Sequence, residues 1–136
     1  MKEIDVRTDR QLEVQDITSK VRRCVEDVEE GVVTAYVLHT TAALTIQEDD
    51  RELWEDLLNT YKRLVPLKGD YEHNAKYSKR SGEQNAHAHI LASLIQPSVH
   101  IPIEDGELGL GTWQKILFVE LDGGRHRKVM VKVLSG

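Results

Sequence analysis

The 136-residue sequence predicts a single α+β domain, a mostly antiparallel sheet with about three helices packed on it and a C-terminal β-meander. Three observations point there. Helical and strand periodicities both occur, and the helical segments fall in the first two-thirds of the chain. The last third reads as strands separated by Gly-containing turns. The length suits one domain with a real core, and no repeat, low-complexity tract or linker divides residues 1–136.

In order along the chain, KEIDVRT alternates apolar and polar side chains and is expected to be the first strand, with QLEVQDIT as a second. Thr18 or Ser19 is placed to cap a helix running to about Glu30. There Val21, Cys24, Val25 and Val28 share one face, and Gly31 supplies the stop. VVTAYVL (32–38) is apolar on both faces and is expected to be a buried strand, with His39, Thr40 and Thr41 as its polar end. ALTIQ continues the sheet. Asp49 is expected to begin a second helix, with Glu52 three residues on as in a capping box. Leu53, Trp54, Leu57, Leu58 and Tyr61 give that helix an apolar face, and Pro66 lies beyond its end. Residues 66–84 are polar and contain His73. Loops of that length are uncommon in small domains unless functional or disordered. A third helix from about Asn85 to Ile95 follows. Then come SVHIPI as a strand, EDGELG as a turn, TWQKILFVEL as a long strand, DGG as a turn and RHRKVMVKVL as the last strand.

Composition narrows the function classes. Hydrophobic residues make up 40% and charged residues 30%, as in a soluble globular protein. No run approaches the ~20 apolar residues a membrane span requires. MKEIDVRTDR has no apolar core of a signal peptide, so the expected location is the cytoplasm, away from membranes. A net charge of −5 argues against broad nucleic-acid binding, although GRHRK at 124–128 is a local basic patch. The single cysteine, Cys24, excludes an intrachain disulfide and a cysteine-rich zinc site. Its place in an apolar stripe marks a packed thiol, so metal ligands have to come mainly from His, Asp or Glu.

Three histidines stand at polar ends of apolar runs or just past them: His39 in HTTAALTIQE, His73 in YEHN and His89 in NAHAHI. Period two on the 32–41 strand puts Val33, Ala35, Val37, His39 and Thr41 on one face, with His39 at the rim. Three neutral imidazoles with an open fourth position are what a catalytic zinc-type site needs. The separations of 34 and 16 residues match no compact metal motif, and each histidine alone also fits an ordinary hydrogen-bonded or solvated role. His87 and His89 form H-x-H. On the expected helix they point about 200° apart, which leaves one of them at the surface. His100 and His126 fit strand positions and read as structural or solvated.

Glu48, after the ALTIQ strand, fits either a general base or metal partner, or a surface acid in the turn with Asp49 and Asp50. Gly109, Gly111 and Thr112 resemble a phosphate-cradling turn only loosely, because no helix follows to supply an anion-binding N-terminus. Trp113 and Gln114 are expected on opposite faces of a strand, one packed and the other able to hydrogen-bond at a site or interface. Arg125 and Arg127 are expected to share a strand face. A guanidinium fork suits phosphate or carboxylate, and a solvated edge or an intersubunit salt bridge is the plainer reading.

HTTAALTIQE, YEHN, NAHAH followed by a helix, GTWQKI and DGG-R-x-R, in this order over nearly the whole chain, resemble the YjbQ-like family of small uncharacterised proteins. The resemblance implies an α+β domain assembling as a homotrimer, with a polar pocket near a subunit interface. The family's histidines fall on His39, His73 and His89, implying a divalent metal, zinc by donor chemistry. His87 falls where the family varies. The acid falls on Glu48 and the arginines on Arg125 and Arg127. Gln96-Pro97 departs from the family, whose members usually carry a Gly before the Ser. Family members have been linked to a secondary thiamin-phosphate synthase activity, which joins a pyrimidine diphosphate to a thiazole phosphate and releases pyrophosphate.

Three functions compete at this point. The first is a metal-assisted transferase-like enzyme on a small phosphorylated or otherwise anionic substrate. His39, His73 and His89 would hold the metal, Glu48 would act as base or behind the ligands, and Arg125 and Arg127 would hold the anion. Thr112 and Gln114 would add contacts to the bound molecule. The second is a non-catalytic metal- or ligand-binding trimer using the same residues. The third is a structural or interaction protein whose histidines only make hydrogen bonds.

Overall fold

Strand burial explains why the chain builds two sheets. The computed structural model describes residues 1–75 and 84–136. Its elements are β1 (Lys2–Arg7), β2 (Glu13–Asp16), α1 (Thr18–Cys24), β3 (Gly31–Val37), β4 (Ala42–Gln47), α2 (Arg51–Leu64), α3 (Glu72–Ala75), α4 (Ala86–Ile95), β5 (Ser98–Glu104), β6 (Glu107–Leu108), β7 (Lys115–Glu120) and β8 (His126–Ser135). One sheet has five strands in the order β1-β8-β3-β5-β6, and the other has three in the order β2-β7-β4. Every pairing is antiparallel.

In β7, residues Ile116 to Glu120 are all buried, because it is the middle strand of the middle layer. Ile116 and Phe118 enter the larger core, with Ile4, Val33, Ala35, Ile101 and Val129 of the five-stranded sheet. Val119, with Leu121 just beyond the strand, enters a second core with Leu58 of α2 and Ala88 and Leu91 of α4. The layers are therefore sheet, sheet and helices. β3 differs from expectation: only one of its faces is buried, with Val33, Ala35 and Val37 inward and Val32 and Tyr36 exposed. The apolar run hides an alternating strand because its outward positions are apolar too.

Helix ends also differ in detail. α1 stops at Cys24, and Val25 and Val28 pack from the turn that follows. The cap of α2 is Asp50 rather than Asp49: its carboxylate accepts from the N–H groups of Glu52 and Leu53, so Glu52 sits too early for a capping box. The C-terminal strands are antiparallel as expected and divide between the layers. β5 and β6 form a hairpin across Asp105 and Gly106, whose φ values of 51° and 75° match a tight primed turn. β7 then crosses to the small sheet, and β8 returns between β1 and β3. β7 begins only at Lys115, so Thr112, Trp113 and Gln114 precede it. Trp113 is 71% exposed, and neither it nor Gln114 packs as a strand residue.

Within the expected 66–84 loop, His73 lies in the short helix α3. Residues 76–83 of that loop lie outside the described residues. Among the described residues, no helix is long and apolar enough to cross a membrane.

Candidate functional site

Where β3 ends and β4 begins, the two sheets and α4 enclose an open cavity of about 860 Å³. Its polar lining comes from Tyr36, His39, Thr40, Thr41, His89, Ser93 and Arg127; the rest is apolar, and among the described residues no Asp or Glu lines it.

The cation in this lining is held by a buried acid that sequence reading missed. Glu120, fully buried at the end of β7, takes Nε of Arg127 on one oxygen at 2.9 Å and Nη2 on the other. It also accepts from the Thr8 hydroxyl at 2.7 Å and from the backbone N–H groups of Leu121 and Asp122 at 3.0 Å. Nη2 of Arg127 further donates to the hydroxyl of Thr41 at 2.9 Å. Nη1 takes no part in this network. The Gly123-Gly124 turn makes the pairing possible: a Cβ on Gly123 would lie 2.8 Å from the Glu120 side chain and 2.9 Å from the Thr8 hydroxyl. The signal for Glu120 was an acid closing an otherwise apolar strand, which ordinarily marks the strand's exit to solvent.

His39 stands just past β3, half-buried. Its Nε2 accepts from the backbone N–H of Lys128 at 2.8 Å, and the Lys128 carbonyl accepts from the N–H of Leu38 at 3.3 Å. The imidazole thus extends the β3–β8 ladder by one rung in place of a backbone carbonyl. Burial first, then the charge of Arg127, hold its pKa below the ordinary value, against the opposing pull of Glu120.

His73 and His89 come together, with ring centroids 4.9 Å apart. Asn74 organises the pair. Its Oδ1 accepts from the backbone N–H of Ala86 at 3.0 Å, capping α4 from outside that helix. The same oxygen lies 3.0 Å from Nδ1 of His73, so that nitrogen carries the proton and the lone pair of the neutral ring is on Nε2. His89 lies one turn into the helix that Asn74 caps, which explains why YEHN and NAHAH meet. His87 projects elsewhere on α4, as helical geometry requires. It is not a surface residue, though: it is 1% exposed, and its Nε2 donates to the Leu121 carbonyl at 3.2 Å, while His89 is half-buried.

The remaining candidates, like His73, lie outside the cavity lining. Glu48 follows the far end of β4, about 23 Å along the chain from Thr41 at ~3.3 Å per residue, and its carbonyl accepts from the Trp54 indole. Arg125 precedes β8, and its guanidinium turns back onto the carbonyl and carboxylate of Asp122. It therefore shares no strand face with buried Arg127. Thr112 is exposed, and Gln114 turns back to accept from the N–H of Gly111 at 2.7 Å. The GRHRK patch is neutralised piece by piece, with His126 and Lys128 both on Asp5, and Lys128 also on Glu3. His100 bonds Thr34 on the outer sheet face.

The donor chemistry fits a divalent cation at two of the three implied histidines. The His73 and His89 rings, 4.9 Å apart between centroids and tilted by 53°, lie close enough for both to reach one ion. The proton of His73 on Nδ1, anchored by Asn74, matches the usual support behind a metal-binding histidine. Among the described residues, no group of three or more His, Cys, Asp or Glu side chains is placed to hold a metal.

Comparison with known proteins agrees over the whole fold. Residues 2–136 match the family model described as UPF0047 protein YjbQ-like. A UPF0047 protein of Archaeoglobus fulgidus is 46% identical over 132 residues, 97% of this chain and 99% of its own. The UPF0047 protein YugU of Bacillus subtilis is 34% identical over 138 residues, 99% of each chain. A crystal structure of a hypothetical protein from Aeropyrum pernix K1 superposes with a TM-score of 0.92 at 38% identity, covering 99% of this chain and 98% of its own. An uncharacterised YjbQ/UPF0047 protein from Clostridium acetobutylicum gives 0.89 at 39% identity, over 98% and 100%. With the family's model matched end to end and its fold reproduced, the chain belongs to the UPF0047 protein YjbQ-like family.

Proposed function

We propose that the cavity binds a small phosphorylated or otherwise anionic molecule beside a divalent metal, zinc by donor chemistry, held by His73 and His89. One observation carries this reading: the cavity holds a buried, immobilised guanidinium and hydroxyl groups, and among the described residues its lining contains no carboxylate. Glu120 neutralises Arg127 from behind and fixes its plane, so the arginine is preorganised for an oxyanion.

A thiamin-phosphate-forming transfer suits such a lining. In it, the thiazole nitrogen bonds to the pyrimidine's methylene carbon, the carbon–oxygen bond to the diphosphate breaks, and pyrophosphate leaves with the electron pair. No carboxylate base is needed. Arg127 would take up charge on the departing oxygens, and Thr40 and Thr41 would orient them. A bound metal would supply further charge neutralisation on the diphosphate. The assembly in this proposal is the homotrimer that the family resemblance implies. Exposed Tyr36 and Leu38 at the cavity support a mouth near a subunit contact.

A second reading is favoured by the same absence of a carboxylate among the described residues: a binding protein that holds the anion and metal without turnover. Calorimetric titration with inorganic pyrophosphate, with and without zinc, tests the common part. Pyrophosphate should bind, more tightly with zinc. Arg127→Lys, which keeps the charge but loses the fork, should bind about 10- to 150-fold more weakly. Wild-type protein that binds no pyrophosphate overturns the proposal. Assays of thiamin-phosphate formation with zinc added and removed then separate enzyme from binding protein.

A further inference from the structure

We propose that His39 serves the cavity as a hydrogen-bond donor through Nδ1, directed at an oxygen of the bound anion, and is not a metal ligand. The inference rests on the anionic-ligand reading above and changes the role that the family resemblance implies for this residue.

Its basis is the identity of the group facing Nε2. The backbone N–H of Lys128 can only donate, and it lies 2.8 Å from that nitrogen. Nε2 must therefore present a lone pair. The ring is then neutral, and its one proton is on Nδ1. Flipping the ring would set a C–H against the Lys128 N–H, and the other tautomer would set two N–H donors face to face. Either change breaks the last rung of the β3–β8 ladder, which the Leu38 N–H and the Lys128 carbonyl begin. A metal on Nδ1 would have to displace the ring's only proton, and a metal on Nε2 would have to displace the peptide donor.

The Nδ1–H has somewhere to act. It makes no hydrogen bond among the described residues. The buried side-chain polar atoms left without a partner are Asn85 Oδ1 and His87 Nδ1, so Nδ1 of His39 is not sealed away. His39 lines the cavity together with Arg127, whose Nη1 is likewise outside the Glu120 network. A guanidinium and a neutral imidazole N–H on one cavity form a two-donor cradle for an oxyanion. A metal, on this assignment, would have His73 and His89 as its protein ligands.

Nitrogen-15 NMR of histidine-labelled protein reads the tautomer directly, with or without zinc. His39 is expected as the neutral Nδ1–H form in both states, with zinc-dependent shifts confined to His73 and His89. Zinc titration should give His39→Ala an affinity within about threefold of wild type, whereas His73→Ala and His89→Ala lose at least 10-fold. Pyrophosphate should bind His39→Ala about 10- to 150-fold more weakly. His39→Asn, which returns an N–H near the Nδ1 position, should recover part of that loss and guards against a folding defect. An Nε2–H tautomer, or zinc loss in His39→Ala as deep as in His89→Ala, overturns the assignment alone. Failure of wild-type protein to bind pyrophosphate overturns the anion reading and this donor role together.

Discussion

The Glu120 carboxylate illustrates how a charge survives at zero exposure. Burying an ion costs several kcal/mol, and only dense compensation offsets it. Glu120 has that compensation in a bidentate arginine, a hydroxyl and two backbone donors. Removing its charge leaves Arg127 buried without a counter-ion. Glu120→Gln is therefore expected to cost about 3–5 kcal/mol in urea unfolding at neutral pH. The slope of that transition should stay unchanged, because the surface exposed on unfolding stays the same. A loss under 1 kcal/mol would mean that water reaches the pair and that Arg127 is not held rigid. This residue also shows where sequence reading ran short. An arginine seven positions from an acid, across a glycine turn, looks like two independent surface charges until the register of β7 and β8 is known. Glu48 shows the opposite effect: its nearness to His39 in sequence is cancelled by the length of β4 between them.

At the scale of elements, periodicity made much of the fold legible. The inward face of β3 and the apolar face of α2 both follow from spacing. Which sheet each strand joins was not legible, because β7 is apolar on both sides and carries no sign of its partners. The meeting of His73 with His89 depended on Asn74 capping a helix twelve residues away, a long-range bond that no local pattern encodes. One local feature was visible and now has a physical reading. Gln96, of the Gln96-Pro97 pair that the family resemblance marks as a departure, closes α4 with φ 155° and ψ 154°, a region otherwise left to glycine. Its carbonyl accepts from the N–H of Leu44, and the Pro97 carbonyl from that of Val37, so the turn ties α4 to both sheets and cannot relax independently. Strain of this kind costs about 1–3 kcal/mol, and glycine's greater unfolded freedom returns about 0.5–1 of it. Gln96→Gly should therefore stabilise the protein by about 1 kcal/mol, read as a higher urea midpoint. A lower midpoint would show that the Gln96 side chain contributes more than its backbone costs.

The whole molecule has its helices α2 and α4 on one side of two stacked sheets, which leaves the outer face of the five-stranded sheet uncovered among the described residues. That face is not uniformly polar. Val32 and Leu134 are register partners on β3 and β8 and are exposed at 42% and 73%, and Tyr36 stands further along β3 at 47%. Just past the end of the same strand, exposed Leu38 joins the cavity wall. Apolar side chains in such positions cost little singly but mark a surface that association can bury. The proposed homotrimer makes a direct prediction: light scattering at micromolar concentration should give three times the chain mass. Because the cavity opens beside these residues, ligand and assembly should be linked. A molecule that binds only the assembled form stabilises it by mass action. Saturating pyrophosphate should then lower the protein concentration at which trimers dissociate on dilution. Trimers whose dissociation ignores pyrophosphate would place the cavity away from the subunit contact. A monomer at micromolar concentration would remove the shared pocket and leave His39, Arg127, His73 and His89 to act within one chain.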